Sequence, residues 1–194
     1  MAKKQVVVGI DIGGTNTGFG FVNREGKILG EDSIKTAHYD EIEVFIAALY
    51  EKIMVTAHKI GNGIELIGFG VGAPMGNINK GTIEHAADLP FKGVIPFAEI
   101  FNRHTDLPVI VTNDANAAAV GEMVYGGARG MKNFVVIGLA LAKDLIFEPA
   151  REYMEENLLS IYKGKVKLLA SELSTQNAAV LGASSLVWSL REPD

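Results

Sequence analysis

The chain has 194 residues, of which 48% are hydrophobic, and a formal net charge of −5. This length and apolar content are enough for a buried core in one or two compact domains. The acidic balance argues against binding to nucleic acid or to an anionic membrane surface, so we expect a small-molecule partner. The chain has no cysteine, which excludes disulfides, thiolate catalysis and cysteine-ligated zinc. The first residues show neither a membrane span nor a signal cleavage site, so we expect the cytoplasm.

Residues 1–130 alternate between strand-like and helix-like patterns. Apolar runs at 6–10 and 18–22 predict two strands, and the turn at 23–27 leads to a third. Between 40 and 60 the apolar residues recur at helical spacing, which predicts an amphipathic helix. The patterns that follow predict a strand at 66–71, a loop at 72–82 and a short helix at 94–104. A further strand is predicted at 107–114, followed by an alanine-rich helix at 115–126.

Beyond residue 130 the alternation begins again. Strands are predicted at 133–139 and 165–171, and helices at about 143–159 and 175–190. The repeated order predicts a layered α/β architecture with a mixed sheet. Two further strands are too few for an independent sheet that is covered on both faces, so the second lobe is predicted to be incomplete.

The stretch GIDIGGTN, residues 9–16, places an acid, two glycines and two polar residues between predicted strands. Gly13 and Gly14 can adopt positive φ and carry no Cβ, so successive amides can converge on phosphate oxygens, with the Thr15 hydroxyl as a further donor. Asp11 stands at the strand end and is suited to hold Mg²⁺ directly or through water. The alternative is a plain hairpin turn with an Asx bend, but the full stretch favours a phosphate loop.

This stretch resembles the first phosphate motif of the ROK family of sugar kinases and sugar-responsive repressors, which belongs to the actin and hexokinase superfamily. A second stretch, TNDANAAAVGE at 112–122, is similar to the sugar and catalytic-base motif of that family. The resemblance implies an α/β fold, with a ribonuclease-H-like lobe of the actin/hexokinase type that contains a mixed sheet. It also implies ATP and Mg²⁺ as cofactors, with Mg²⁺ held by Asp11 through water. The residues implied in nucleotide binding are Gly9, Asp11, Gly13, Gly14, Thr15 and Asn16.

Phosphoryl transfer to a sugar hydroxyl needs a group that orients the hydroxyl and takes its proton. Asp114 is the candidate base, because it follows a buried strand whose carboxyl end would open into the cleft. Asn113 beside it can bind sugar hydroxyls. The structural alternative is that Asn113 and Asp114 cap the following helix, which is compatible with catalysis.

The segment between the two motifs resembles the ROK segment that lines the sugar pocket. Gly72, Ala73 and Pro74 match its turn, and Asp88 stands where the family usually has asparagine. An aspartate accepts from hydroxyls but lacks the amide donor, which leaves the sugar preference open. Glu122, within the second motif, is also implied in substrate binding.

The resemblance has one break, near Ile137 and Gly138, where the sequence passes directly to the last third of the family pattern. The skipped part would contain the second phosphate loop, the cysteine-rich zinc motif and most of the adenosine site. The lack of cysteine fits this loss, so the family zinc is not expected. We therefore divide the chain into a first lobe (1–126), a remnant of the second lobe (127–174) and a closing helix that returns to the first lobe (175–194).

The leading hypothesis is an ATP-dependent hexose kinase, glucokinase-like, that transfers the γ-phosphoryl group to a sugar hydroxyl. The alternative is a catalytically impaired ROK remnant that binds sugar or is completed by a partner chain, since the lost loop would supply half of the phosphate donors. A DNA-binding sugar sensor is disfavoured, because the phosphate motif begins almost at once and leaves no room for a helix-turn-helix. The resemblance also implies a homo-oligomer, either a dimer or a tetramer.

Overall fold

A computed structural model describes residues 3–136, 143–171, 173 and 178–190 of the chain. The strands are β1 (Lys4–Ile12), β2 (Thr17–Val22), β3 (Ile28–Ile34), β4 (Ile64–Ala73), β5 (Gly76–Asn77), β6 (Thr82–Glu84), β7 (Val94–Ile95) and β8 (Val109–Asn113). The helices are α1 (Ile42–Ile60), α2 (Phe97–Phe101), α3 (Asp114–Val124), α4 (Lys143–Asn157) and α5 (Ala178–Ser189), with a 3-10 turn at Thr36–His38.

The larger sheet has the strand order β3, β2, β1, β4, β8. The first three strands of the chain form an antiparallel meander, as the turn chemistry predicts, whereas β1, β4 and β8 run parallel. This is the mixed sheet that the sequence predicts. Because the parallel strands end at the same edge, the segments that follow Ile12, Ala73 and Asn113 meet there.

Helices cover both faces of the sheet, which is why β1 is apolar at consecutive positions. On one face α1 packs the side chains that its helical spacing predicts: Phe45, Ile46, Leu49 and Ile53 have no exposed surface, and Ile42 is partly buried. On the other face α5 is buried from Val180 to Trp188. A helix that is apolar all round belongs in an interior, and α5 lies between the sheet and α3.

A second, three-stranded sheet of order β5, β6, β7 occupies the region predicted as a loop and a helix. The loop predicted at 72–82 begins two residues later than expected, because Gly72 and Ala73 still pair as the end of β4. It contains β5 and leads into β6, while the helix predicted at 94–104 is shortened to α2. Its first residues pair with β6 instead, where Glu84 lies opposite Val94 and Ile83 opposite Ile95. Pro96 separates the strand from the helix because its ring fixes φ and removes an amide donor.

The second half departs further from the sequence prediction. Residues 133–136 and 165–171 were predicted as strands but have no strand structure. An isolated apolar run cannot form a strand without a partner, and no described strand pairs with either segment.

Helix α4 confirms the helix predicted from residue 143. The proposed break at Ile137 and Gly138 lies outside the described residues. No described helix is both long and apolar enough to cross a bilayer.

Candidate functional site

The candidate site lies at the carboxyl edge of β1, β4 and β8. Asp11 in β1 is in register with Gly72 in β4, and Ala73 is in register with Asn113 in β8. The fold therefore brings together the opening loop, the 72–74 turn and the Asn113–Asp114 pair, although about 60 to 100 residues of sequence separate the first from the others. The two motifs that sequence reasoning selected meet at one edge of one sheet.

The opening loop is a tight turn that leaves several amide groups available. The Gly13 amide donates to the Asn16 carbonyl at 3.0 Å, whereas no carbonyl in the described part of the chain accepts from the amides of Gly14, Thr15 or Asn16. Thr15 and Asn16 are exposed. Adjacent unpaired amides on an exposed loop can hydrogen-bond the oxygens of an anion.

The predicted positive φ of Gly13 and Gly14 is not observed, since neither is among the glycines with left-handed backbone. Gly14 serves another purpose. A Cβ atom on it would lie 2.1 Å from the carbonyl oxygen of Asp88, so the loop that carries Asp88 packs directly against the opening loop. This contact joins the predicted phosphate segment to the predicted sugar segment.

Two carboxyl groups face the same region. Burial raises the pKa of Asp11, and the negative charge of Asp114 raises that pKa further. Asp114 itself is exposed at the mouth of the site. Without a cation, a partly buried carboxylate within electrostatic range of a second carboxylate is unfavourable. A bound cation would therefore stabilise the pair.

Metal binding at this edge would depend on few protein ligands. The described residues contain no cluster of three or more histidine or acidic side chains that could hold a metal ion. Mg²⁺ usually keeps several waters and binds through one or two carboxylates together with phosphate oxygens. Asp11 fits this pattern of coordination.

Asn113 and Asp114 also build the start of α3. The Asn113 side chain caps the helix, since its Oδ1 accepts from the Ala115 amide at 3.0 Å, and Asp114 Oδ1 accepts from the same amide at 2.7 Å. The structural alternative given by the sequence is therefore present. Both caps leave oxygen lone pairs and the Asn113 amide group for other partners.

The 72–74 segment, in which β4 ends and a turn begins, lies against this helix start at a position without a side chain. A Cβ atom at Gly72 would lie 3.2 Å from Ala117 Cβ and 3.6 Å from Asp114 Cα. A Cβ atom at Gly76, just beyond the turn, would lie 2.2 Å from the Thr112 carbonyl oxygen. Ala73 is buried and Pro74 half-buried, so the turn acts through its backbone position.

Two of the predicted site residues lie away from this edge. Gly9 is in the middle of β1, where a Cβ atom would lie 2.0 Å from the carbonyl oxygen of Val180 in α5. Glu122 is eight residues along α3 from Asp114, about 12 Å along the helix axis. Its carboxylate accepts hydrogen bonds from the Gly127 amide at 3.0 Å and from the Ser171 hydroxyl.

Sequence reasoning missed a buried pair behind the opening loop. The hydroxyl oxygens of Thr17 and Thr36 are 2.8 Å apart, and both residues have no exposed surface. The Ala37 amide donates to the Thr15 carbonyl at 3.4 Å. Threonine is common both in strands, where Thr17 lies, and in turns, where Thr36 lies, so the sequence contains no local signal for this contact.

Residues 7–141 match the ROK family. A curated glucokinase from Halalkalibacterium halodurans is 38% identical over 68% of this chain and 40% of its own length. A ROK family glucokinase from Streptomyces griseus, solved in complex with glucose and AMPPNP, is 30% identical and has a TM-score of 0.53. That match covers 64% of this chain and 38% of the other.

The comparisons also include a protein of a different class, the xylose repressor of Caldicellulosiruptor bescii. It is 29% identical over 73% of this chain and 36% of its own length. This chain spans about 40% of the length of the curated glucokinases it matches. The predicted family and the predicted α/β fold of the actin/hexokinase type are both confirmed.

Proposed function

The chain belongs to the ROK family, and from that premise we propose that it is an ATP-dependent hexose kinase of the glucokinase type. The main support is the meeting of three features at one sheet edge: the free amides of the opening loop, the Asp11 carboxyl group and Asp114. The identities of 30–38% to glucokinases favour glucose as the acceptor.

In this proposal the opening loop binds the phosphates of ATP. The amides of Gly14, Thr15 and Asn16 and the Thr15 hydroxyl donate to phosphate oxygens. Asp11 holds Mg²⁺ through water. The metal, when bound, neutralises charge on the phosphate oxygens.

The acceptor sugar lies between Asp88, the 72–74 turn and Asn113. Asn113 and Asp88 hydrogen-bond its hydroxyl groups, which orients one hydroxyl towards the γ-phosphorus. That oxygen forms the new bond to phosphorus as the bond to the bridging β,γ-oxygen breaks. Asp114 Oδ takes the proton of the hydroxyl, and the leaving group is ADP.

The second candidate is a catalytically impaired protein that binds sugar or is completed by a partner chain. The observation that favours it is the match to only about 40% of the length of the curated glucokinases. Under this proposal 1–126 is the sugar-binding lobe, 127–174 a remnant of the second lobe and 175–194 the closing helix. An intact mass near 20.8 kDa for the native protein would favour this candidate, and a mass larger by a small domain the kinase.

The catalytic test compares Asp114→Asn with the exposed control Asp106→Asn in ATP-dependent glucose phosphorylation. Loss of the base should lower kcat by about 10²- to 10⁴-fold, while glucose affinity measured by calorimetry stays near that of the wild type. Turnover that survives in Asp114→Asn would show that the base assignment is wrong. Glucose binding without turnover in the wild type would instead support the second candidate.

The cellular setting follows the same proposal. We expect the protein in the cytoplasm, where ATP is available, and as a homodimer or homotetramer. Light scattering on the purified chain gives the oligomeric state directly, and a monomer at working concentration would contradict this part.

A further inference from the structure

We propose that Thr36 is a positioning residue that holds the opening loop in its anion-binding conformation through the hydroxyl of Thr17. Thr17 is the first residue of β2, directly after the loop, and Thr36 is the first residue of the 3-10 turn that follows β3. This inference rests on the proposed function of the loop.

The argument begins with burial. Both threonines are fully buried, and their hydroxyl oxygens are 2.8 Å apart. No other hydrogen bond is recorded for either side chain in the described part of the chain. Each hydroxyl is therefore the partner of the other, and removal of one leaves the other buried and unpaired, which is more costly than removing both.

The Thr17–Thr36 hydroxyl pair lies next to the strand pairing that connects the end of the loop to β3. Thr17 lies opposite Ile34 in the β2–β3 ladder and opposite Ile12 in the β1–β2 ladder. Beyond the ladder, the Ala37 amide donates to the Thr15 carbonyl at 3.4 Å. Two contacts from adjacent residues of the 3-10 turn thus hold adjacent parts of the loop and its exit.

The direction of the Thr15 carbonyl has a chemical consequence. A peptide unit is planar, so a carbonyl fixed towards Ala37 also fixes the orientation of the following amide, that of Asn16. Asn16 is one of the residues with an unpaired amide. The 3-10 turn therefore contributes to the direction in which this donor points, although it does not itself reach the anion.

A second chain of contacts limits the loop from the other side. The Gly13 amide donates to the Asn16 carbonyl at 3.0 Å, and Gly14 packs on the Asp88 carbonyl. These contacts restrain the tip, whereas Thr17 and Thr36 restrain its exit into β2. Loss of the hydroxyl pair should free the exit while leaving the tip in contact with Asp88.

The experiment compares three variants of the full chain. Thr36→Val keeps the shape but removes the hydroxyl, and Thr36→Ser keeps the hydroxyl. Thr56→Val is the matched control, because Thr56 is also buried but its hydroxyl donates only within its own helix, to the Lys52 carbonyl at 3.0 Å.

The first readout needs no ligand and no turnover. In ¹⁵N–¹H spectra we expect Thr36→Val to shift the amide signals of Thr15 and Asn16, next to the exit, and to accelerate hydrogen exchange at the Ala37 amide. In Thr36→Ser and in Thr56→Val, the loop amide signals and the exchange rate at Ala37 should stay near those of the wild type. Unchanged loop signals in Thr36→Val, or equal changes in Thr56→Val, would overturn the inference.

The second readout is the affinity for inorganic tripolyphosphate with Mg²⁺, a probe that requires the phosphate loop but no adenosine site. We expect about tenfold weaker binding in Thr36→Val, by analogy with the 10- to 100-fold losses that follow removal of a hydrogen-bond partner behind a metal ligand. Wild-type affinity in that variant would overturn the inference. If the wild type itself fails to bind the probe, the proposed phosphate site is wrong, and the spectra alone decide the positioning role.

A double variant separates positioning from folding. Thr17→Val combined with Thr36→Val removes both polar groups, so it should recover most of the stability that Thr36→Val loses. The loop shifts should nevertheless persist, because the hydroxyl link is still absent. Recovery of the loop signals together with stability would mean that the pair matters only for the core. If Thr36→Val does not fold, the double variant is compared with wild type in its place.

Discussion

The backbone of β1 at Gly9 is in direct contact with the backbone of α5 at Val180. A Cβ atom on Gly9 would lie 2.0 Å from the Val180 carbonyl oxygen, and one on its register partner Gly70 would lie 1.8 Å from the Ala183 carbonyl oxygen. Since real Cβ contacts are longer, neither position accepts a side chain while α5 stays in place. Gly9, which the sequence motif associates with phosphate, is a packing residue in the fold.

We predict that Gly9→Ala lowers the free energy of unfolding by about 3 kcal/mol, because overpacking a tight interior forces the backbone to move. Urea unfolding can be followed by the fluorescence of Trp188, the single tryptophan, which is 7% exposed within α5. The control is Gly63→Ala, whose added Cβ would meet no atom within 4 Å. Equal stability of the two variants would contradict the direct contact between β1 and α5.

Gly14→Ala tests the contact between the proposed phosphate segment and the proposed sugar segment. Its Cβ would lie 2.1 Å from the Asp88 carbonyl oxygen, so the two loops must separate. We expect the affinities for glucose and for Mg²⁺-tripolyphosphate to fall together, each by about tenfold, because a misplacement of about 1 Å can lower the rate at a preorganised site by about 10²-fold. Calorimetry against the Gly63→Ala control measures both. A fall in only one affinity would mean that the loops act independently.

Asp11→Asn should raise the free energy of unfolding at neutral pH and, under the proposed function, abolish phosphoryl transfer. The folded state holds the Asp11 proton more tightly than the unfolded state, because burial and Asp114 raise its pKa. Stability is therefore lost as the pH rises from the ordinary pKa of an aspartate through the raised value in the fold. The asparagine variant cannot ionise and lacks this loss.

Urea unfolding of both proteins between about pH 2.5 and pH 8 measures the difference in the free energy of unfolding. We expect the plots of unfolding free energy against pH to converge at low pH, where Asp11 is protonated in both the folded and the unfolded state. At higher pH the Asp11→Asn protein should be the more stable of the two. An Asp11→Asn protein that is less stable than wild type at pH 7 would contradict the sign. In a protein that already carries Asp114→Asn, the gain in stability from Asp11→Asn should be smaller, because one of the two causes of the raised pKa of Asp11 is absent.

Glu122→Gln distinguishes a structural from a sugar-binding role. The carboxylate accepts from the Gly127 amide and the Ser171 hydroxyl, and an amide group replaces one of its acceptor oxygens with a donor. We expect a loss of about 1 kcal/mol in stability and glucose affinity within about twofold of wild type. The exposed Glu99→Gln is the control. A tenfold loss of glucose affinity would instead assign Glu122 to the sugar, as the sequence resemblance implies.

The elements best predicted from the sequence are those with a long, regular pattern. Helix α1 is predicted by the spacing of Ile42, Phe45, Ile46, Leu49 and Ile53, of which the last four are fully buried and Ile42 partly buried. The meander of β1, β2 and β3 follows from apolar runs joined by turn residues. These predictions depend only on neighbours within a few residues, so the sequence contains all the information they need.

The short elements and the second half were predicted less well. The segment 165–171 has the alternation of a strand but lacks a partner in the described structure. The helix predicted at 94–104 loses its first residues to the small sheet, where Ile95 pairs with Ile83. In both cases the outcome depends on the availability of a neighbouring strand, which no local pattern encodes.

The sequence by itself determined the family, the α/β class and the two motifs, because the residue types that bind phosphate and accept a proton are chemically restricted and stand close together in the chain. The tertiary structure decided which of these residues meet. It brought Asp11 within electrostatic range of Asp114, packed Gly9 against α5, paired Glu122 with Ser171 and placed Thr36 behind the opening loop. Each of these relationships joins residues far apart in sequence, so only the packing of the sheet and helices creates it.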